Sequence, residues 1–246
     1  MIDLHTHILP GVDDGARSLA ESRALALEAA GEGVSVLAAT PHVRADYPTT
    51  AEMMEEGVAQ LREDFVEQGI PVQVLHGGEI DIGLLWAIPT DELRRLTIAQ
   101  TGRYLLLEFP YRGWPLALDS AVTRLVELGL TPLLAHPERN PEVQDRPDRL
   151  GKLVDAGALV QVTSASLDGR LDRASQASGV RLLELGLVHV LASDAHGPHI
   201  RGAGLGAATQ IVGDAELARY LTVDAPGAIV AGDPLPEGPH VRMPTP

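Results

Sequence analysis

Seven short apolar runs punctuate this chain, at residues 2–5, 34–40, 72–76, 104–109, 131–136, 159–163 and 188–193, with amphipathic segments between them at 18–30, 50–68, 115–128, 147–156 and 174–185. Alternation of these two kinds of segment builds βα units around a parallel sheet. Most of the runs are rich in Val and Leu and nearly continuously apolar, as strands buried on both faces must be. Ser18, Leu19, Ala20 and Glu21 read as a capping box opening the first helix. Gly69, Gly129, Gly157 and Gly186 each close a helical segment just before a strand. A short helix is predicted at 93–98. The 246 residues suffice for one large core, and a single α/β barrel domain over 1–224 accounts for them. From 225 to 246 proline and glycine accumulate, which predicts a tail draped on the surface or partly disordered, with His240 solvated and without a role.

The runs share the way they end. The first carries His5 and His7, two apart and so on one face of a strand, followed by Asp13 and Asp14 in a Gly-bounded turn. His42 follows the second run, Glu79 the third, Glu108 and His136 close the fourth and fifth, and Asp194 and His196 follow the seventh. Only the sixth run contributes nothing of this kind. In a parallel barrel the C-terminal strand ends converge on one mouth, so these residues would meet there. A single strand-end histidine is readily explained as a satisfied core residue, but a crowd of carboxylates and imidazoles at one mouth is not, because desolvation and repulsion oppose it unless cations bind. All donors are nitrogen or oxygen, which suits Mn, Fe, Zn or Mg, and their number implies two or three ions.

Composition narrows the chemistry. There is no cysteine, so thiolate ligands, disulfides and a cysteine nucleophile are excluded. Lys152, the only lysine, falls in a predicted helix, which argues against a Schiff base or a bridging carbamylated lysine. With 34 acidic against 19 basic residues and a formal charge of −15, a non-specific grip on nucleic acid or anionic membrane is disfavoured. No apolar run resembles a signal peptide or a membrane span, so a soluble cytoplasmic protein without stable membrane insertion is expected.

The strings LHTH, GVDDG, ATPH (39–42), GGEI (77–80), LEFP (107–110), AHPER (135–139) and SDAH (193–196) resemble, in order, the PHP superfamily, named for polymerase and histidinol phosphatase. Within it they are most similar to the bacterial metal-dependent tyrosine-protein phosphatases of capsule and exopolysaccharide synthesis. The resemblance covers residues 1 to about 205 and implies a distorted seven-stranded (β/α)7 barrel holding a trinuclear cluster, usually manganese. It implies that His5, His7, Glu79 and Asp194 hold one ion, that Glu79 bridges to a second shared with Glu108 and His136, and that Asp14, His42 and His196 hold the third. Asp13 stays open between ligand, turn residue and supporting partner. Asn140 after HPER, and Gly197, Pro198 and His199 after SDAH, depart from the family pattern at loops that border the mouth.

The resemblance further implies hydrolysis of a phosphomonoester by metal-bound hydroxide, most naturally on a phosphotyrosine protein such as the tail of a polysaccharide-assembly tyrosine kinase. Arg139 and Arg201, just beyond ligand motifs, are candidates to grip the phosphate in a fork geometry, with Arg17 beside the GVDDG turn as a third. The alternative is a PHP phosphatase acting on histidinol phosphate or another small phosphomonoester. A nuclease, a catalytically silent scaffold and an amidohydrolase, which also places HxH on a first barrel strand, complete the competing readings.

Overall fold

Two of the expected strand runs break at their ligand-bearing ends, and the break shapes the whole sheet. The computed structural model describes residues 1–197 and 201–243. Its strands are β1 (Ile2–Thr6), β2 (Val36–Ala39), β3 (His42–Arg44), β4 (Tyr47–Pro48), β5 (Gln73–His76), β6 (Glu79–Asp81), β7 (Tyr104–Glu108), β8 (Thr131–Ala135), β9 (Leu159–Thr163) and β10 (Val190–Ala192). The run 34–40 becomes β2, interrupted at Thr40 and Pro41, then β3; the run 72–76 becomes β5 and, past Gly77 and Gly78, β6. At each break the chain changes sheet. The first strand of each pair joins a three-stranded sheet ordered β1-β2-β5, and the second joins a seven-stranded sheet ordered β10-β9-β8-β7-β6-β3-β4. Proline lacks the N–H that would continue the first ladder. Gly77 passes so near Thr40 that an added Cβ would stand 2.9 Å from its methyl group.

All pairings are parallel except β3 with β4. The expected seven-stranded sheet is thus present in a mixed α/β single-domain fold, but no strand pairing closes it. Where closure would fall, the contact consists of one bridge between Thr6 and Ala195 and two backbone hydrogen bonds, Asp194 N–H to His5 (2.9 Å) and His7 N–H to Ala195 (2.8 Å). The register of β1 on β2 also slips between Asp3 and Thr6, a bulge in the segment that carries His5; bulges re-aim side chains beside functional sites.

The helices are α1 (Leu19–Gly31), α2 (Ala51–Gln68), α3 (Thr90–Arg95), α4 (Leu118–Glu127), α5 (Pro141–Asp145), α6 (Asp148–Asp155), α7 (Ser164–Leu167), α8 (Arg173–Glu184), α9 (Gly206–Val212), α10 (Ala215–Arg219) and α11 (Ala225–Ala231). The outer core lies between strands and helices and includes Leu105, Leu107, Leu134 and Val160, while Leu106, Leu133, Ala135 and Leu159 belong to a second, inner cluster with Leu4 and Val190. Both faces of the central strands are therefore buried, the reason their sequences do not alternate. Ser18 caps α1 by accepting from the Glu21 N–H, and the Glu21 carboxylate reaches back to the N–H of Arg17.

Two expectations are corrected. The helix predicted at 93–98 lies earlier, at α3, because Thr97 is already extended (φ −65°, ψ 152°) and ends it after Leu96. The segment beyond 224 begins as a packed helix, α11, with Ala225, Pro226 and Ile229 buried. Pro226 follows directly on a π-helical turn, Tyr220–Asp224, through which α10 runs on into α11, so the proline signal there marks an irregular turn within a helix. The remainder is tied down by Tyr104 Oη–H to the Asp233 carbonyl (2.5 Å) and by the Arg242 N–H to the Gly186 carbonyl (2.7 Å); His240 itself is exposed. Among the described residues no helix is long and apolar enough to cross a membrane.

Candidate metal centre

The breaks and the bulge bring nine donor residues from seven places in the chain into one cluster, eight of them buried. His5, at the end of β1, and His7 just beyond it point their Nε2 atoms together, 3.1 Å apart. His42 opens β3, Glu79 opens β6, Glu108 closes β7, His136 follows β8, and Asp194 and His196 follow β10. Asp14 arrives from the turn after β1 and is the most exposed, with 44 % of its side chain accessible. Gly15 lets that turn fold back, since an added Cβ would lie 2.1 Å from the His7 carbonyl oxygen.

Glu79 is the hub. Its Oε2 lies 3.4 Å from Nε2 of both His5 and His7 and 2.9 Å from His42 Nδ1, while Oε1 meets His136 Nε2 at 2.9 Å. Asp194 Oδ1 stands 3.3 Å from His5 Nε2, 3.2 Å from His7 Nε2 and 3.4 Å from His196 Nδ1. Asp14 Oδ1 stands 3.4 and 3.5 Å from Nε2 of His42 and His196. Despite this crowding, Glu79 Oε2, Glu108 Oε2, His42 Nδ1 and His136 Nδ1 are buried without a hydrogen bond. Buried polar atoms are rarely left so. Acceptor atoms converging with no hydrogen between them fit divalent cations, and the nitrogen and oxygen donors fit the harder first-row metals.

Four groups have donor atoms within 4.8 Å of one another: His7, Asp14, His42 and His196; His5, His7 and Asp194; His5, Glu79 and His136; and His42, Glu79 and Glu108. The expected grouping of Asp14 with His42 and His196 is seen, with His7 added. Glu108 lies with His42 and Glu79 rather than beside His136.

Electrostatics prepares these groups as ligands. Burial alone would lift the Glu79 carboxyl and the Asp194 carboxyl, but His5 and the other cationic neighbours outweigh it and hold both well below the usual carboxylate range. Burial and then Arg139 push His136 down to about 4, leaving its imidazole neutral. Glu108 is pushed up to about 7 by burial and by the Glu79 charge, a penalty that a bound cation would remove.

Over residues 1–230 the chain matches the family described as capsular polysaccharide synthesis, CpsB/CapC. It belongs to that family. The PHP resemblance of its motifs is consistent with this membership. The chain is 38 % identical over 199 residues to the tyrosine-protein phosphatase YwqE of Bacillus subtilis, covering 80 % of this chain and 77 % of that protein. It is 31 % identical over 239 residues to the tyrosine-protein phosphatase CpsB of Streptococcus pneumoniae, covering 94 % of this chain and 98 % of that one. A solved structure from work on YwqE and CpsB, described as unique metal-dependent tyrosine phosphatases, superposes with a TM-score of 0.89 at 34 % identity, over 100 % of this chain and 99 % of the other.

In this CpsB/CapC protein a second ring of residues orients the donors. Asp13 Oδ2 takes His7 Nδ1 at 2.7 Å and the His42 N–H at 2.9 Å, and its Oδ1 takes the Gly15 N–H at 3.0 Å; it supports the cluster from behind. Gln161 Oε1 takes His5 Nδ1 at 3.0 Å. The sixth run therefore does contribute, through a polar residue inside an otherwise apolar strand, a signal that was present in the sequence but lacked a ligand's chemistry. Arg139 and Arg201 both reach the outer oxygen of Asp194, Oδ2, at 2.7 and 2.9 Å. Arg139 also donates to Thr163 Oγ1 (2.8 Å) and to the Tyr111 hydroxyl (3.4 Å). Fully buried Glu138, which the sequence did not mark, lies behind Arg139 with Oε1 3.9 Å from its Nε. Arg17 does not join them: its side chain is 78 % exposed and paired with Glu21. Asn140 caps α5 and donates to the carbonyls of Pro110 and Gly113. Pro198 and His199 lie outside the described residues.

Proposed function

We propose that this protein is a metal-dependent protein-tyrosine phosphatase acting on phosphotyrosine in capsule or exopolysaccharide synthesis. The carrying observation is the convergence of nine imidazole and carboxylate donors, eight of them buried and several without hydrogen bonds, beside two arginines. His5, His7 and Asp194, together with Glu79, would hold one ion; Glu79, Glu108 and His136 a second; and Asp14, His42 and His196 a third, with Mn²⁺ as the metal. Such ions supply Lewis acidity and a water of lowered pKa. The chain's own residues do the rest. Arg139 and Arg201 present guanidinium forks at the rim of the cluster, where they can bind phosphoryl oxygens and orient the ester. Asp13 and Gln161 fix the ring orientations of His7 and His5, so the donor atoms need no rearrangement as substrate arrives. A phenol, with its pKa of about 10, leaves with less help from a general acid than an alkyl alcohol needs, and no cysteine nucleophile is required.

We also read the two sheets, joined by the bridge at Thr6 and Ala195, as one distorted seven-stranded barrel. The cytoplasm is its proposed place of action, and the tail of a polysaccharide-assembly tyrosine kinase its proposed partner. The test is to load the protein with Mn²⁺ and compare kcat/KM for a phosphotyrosine peptide and for histidinol phosphate, with His136→Ala as control. Preference for the peptide, lost in the variant, supports the reading. Preference for histidinol phosphate moves the protein to the small-molecule alternative, and turnover of neither overturns the phosphatase.

A further inference from the structure

Two tyrosines flank the histidine cluster, and only one has a ring free to do more. Tyr47 stacks on His42, with planes 16° apart, and its ring is also covered by the Arg44 guanidinium at 5.1 Å. Tyr111 stacks on His136, with centroids 5.3 Å apart and planes 10° apart, yet remains 47 % exposed. One side of its ring is thus taken by a member of the cluster, and much of the rest is open at the rim. Its hydroxyl accepts from Arg139 Nη1, which places this open aromatic surface beside a proposed phosphate-binding group.

The loop that carries Tyr111 is held unusually well for a rim segment. Asn140 Nδ2 donates to the carbonyls of Pro110 (2.6 Å) and Gly113 (2.8 Å), one on each side of Tyr111, while its Oδ1 accepts the Glu142 N–H at the start of α5. Phe109 and Trp114, packed edge to face at 5.7 Å, pin the loop ends. An exposed aromatic ring on a fixed support is suited to stacking a flat ligand, because little ordering remains to be done on binding.

We infer that Tyr111 is a specificity-determining residue: it receives the aromatic ring of an aryl phosphomonoester whose phosphoryl group is bound at Arg139, and so sets a preference for aryl over alkyl phosphates. The inference rests on the phosphatase reading above and deepens it. An alkyl phosphate such as phosphoserine has no π face to stack, whereas ring stacking is worth roughly a two- to tenfold difference in binding.

The test measures the ratio of kcat/KM for a phosphotyrosine peptide to that for the matching phosphoserine peptide, in the Mn²⁺-loaded wild type, Tyr111→Ala and Tyr111→Phe. Metal content is assayed alongside, and calorimetry gives the Kd of phenylphosphonate and of methylphosphonate. The expected result is an aryl-to-alkyl ratio reduced about two- to tenfold in Tyr111→Ala, with the phenylphosphonate advantage lost, and both retained in Tyr111→Phe. An unchanged ratio in Tyr111→Ala with full metal content overturns the inference and leaves the phosphatase standing. No phosphatase turnover in the wild type overturns the underlying reading instead. Should Tyr111→Ala shed metal or fail to fold, Tyr111→Leu, which fills the space against His136 without a π face, carries the same comparison.

Discussion

Asp194 divides its carboxylate between two demands: Oδ1 faces three histidines and Oδ2 faces Arg139 and Arg201. In the proposed site the division would link ligand geometry to anion binding in a single side chain. Arg139→Ala is accordingly expected to lower kcat/KM for a phosphotyrosine peptide by about 100-fold, the scale of losing one preorganised donor to a developing anion, while metal content by atomic absorption stays full. Arg139→Lys should not restore it, because a point charge cannot serve Asp194, Thr163 and a phosphoryl oxygen together; unchanged kinetics would remove Arg139 from the site. Asp13→Ala should instead weaken metal binding by about 10- to 100-fold, with turnover largely recovered at saturating metal, since Asp13 orients His7 and His42 from behind. The nine donors were legible from residue type and strand-end position. Gln161 and Glu138 were not, because amides and buried carboxylates that act by holding a neighbour carry no mark distinct from ordinary polar residues. At Arg17, the third candidate, nearness in sequence to GVDDG does not fix direction: Glu21, four residues on, pairs with it.

At the level of elements, periodicity and punctuation carried most of the fold. The four glycines expected to end helices all adopt positive φ. The double break of the sheet was written in Pro41 and in Gly77 and Gly78, yet each run read as one strand, because changing sheets leaves no trace in an apolar pattern that is buried on both faces. The short helices α5, α7 and α9 went unread, since pieces of four to seven residues show too few turns to establish a period. The turn after β1 is the element with least tolerance. Gly15→Ala would press a methyl group against the His7 backbone and Cβ, atoms that cannot swing aside. It is expected to cost about 1–3 kcal/mol in urea unfolding and to lower metal content, because Asp13, Asp14 and His7 move with that turn. A variant with wild-type stability and full metal content would show the turn to be looser than described.

Across the whole molecule, the C-terminal segment is fastened at the end of the strands opposite the cluster. His189, fully buried before β10, accepts the Val160 N–H at Nδ1 (3.1 Å) and donates from Nε2 to the Arg242 carbonyl (3.0 Å), so the neutral ring joins strand to C-terminal segment. Burial pushes it down to about 4 from 6.5. A depressed pKa means the unfolded chain binds the proton more readily. The stability associated with the neutral ring is complete above about pH 6.5 and is lost as pH falls from there toward 4, by as much as about 3 kcal/mol. Urea titrations of the chelated protein at pH 7 and pH 5 should show a smaller loss for His189→Asn, which keeps an acceptor but takes no proton; equal losses would place the sensitivity elsewhere. A different kind of constraint follows from the backbone at His136 and Asp194, both at positive φ, 41° and 53°. Apart from glycine, that conformation is adopted readily by little more than Asn, Asp and His. Each position therefore selects its residue twice, for the bond it can offer an ion and for the dihedral it can occupy. Glutamate or cysteine, acceptable to many metals, would carry a backbone cost of about 1–2 kcal/mol there, as Ala99 and Gln100 do at φ 54° elsewhere in the chain. A lineage of such chains could drift in metal preference only along the narrow set of donors that the left-handed region admits.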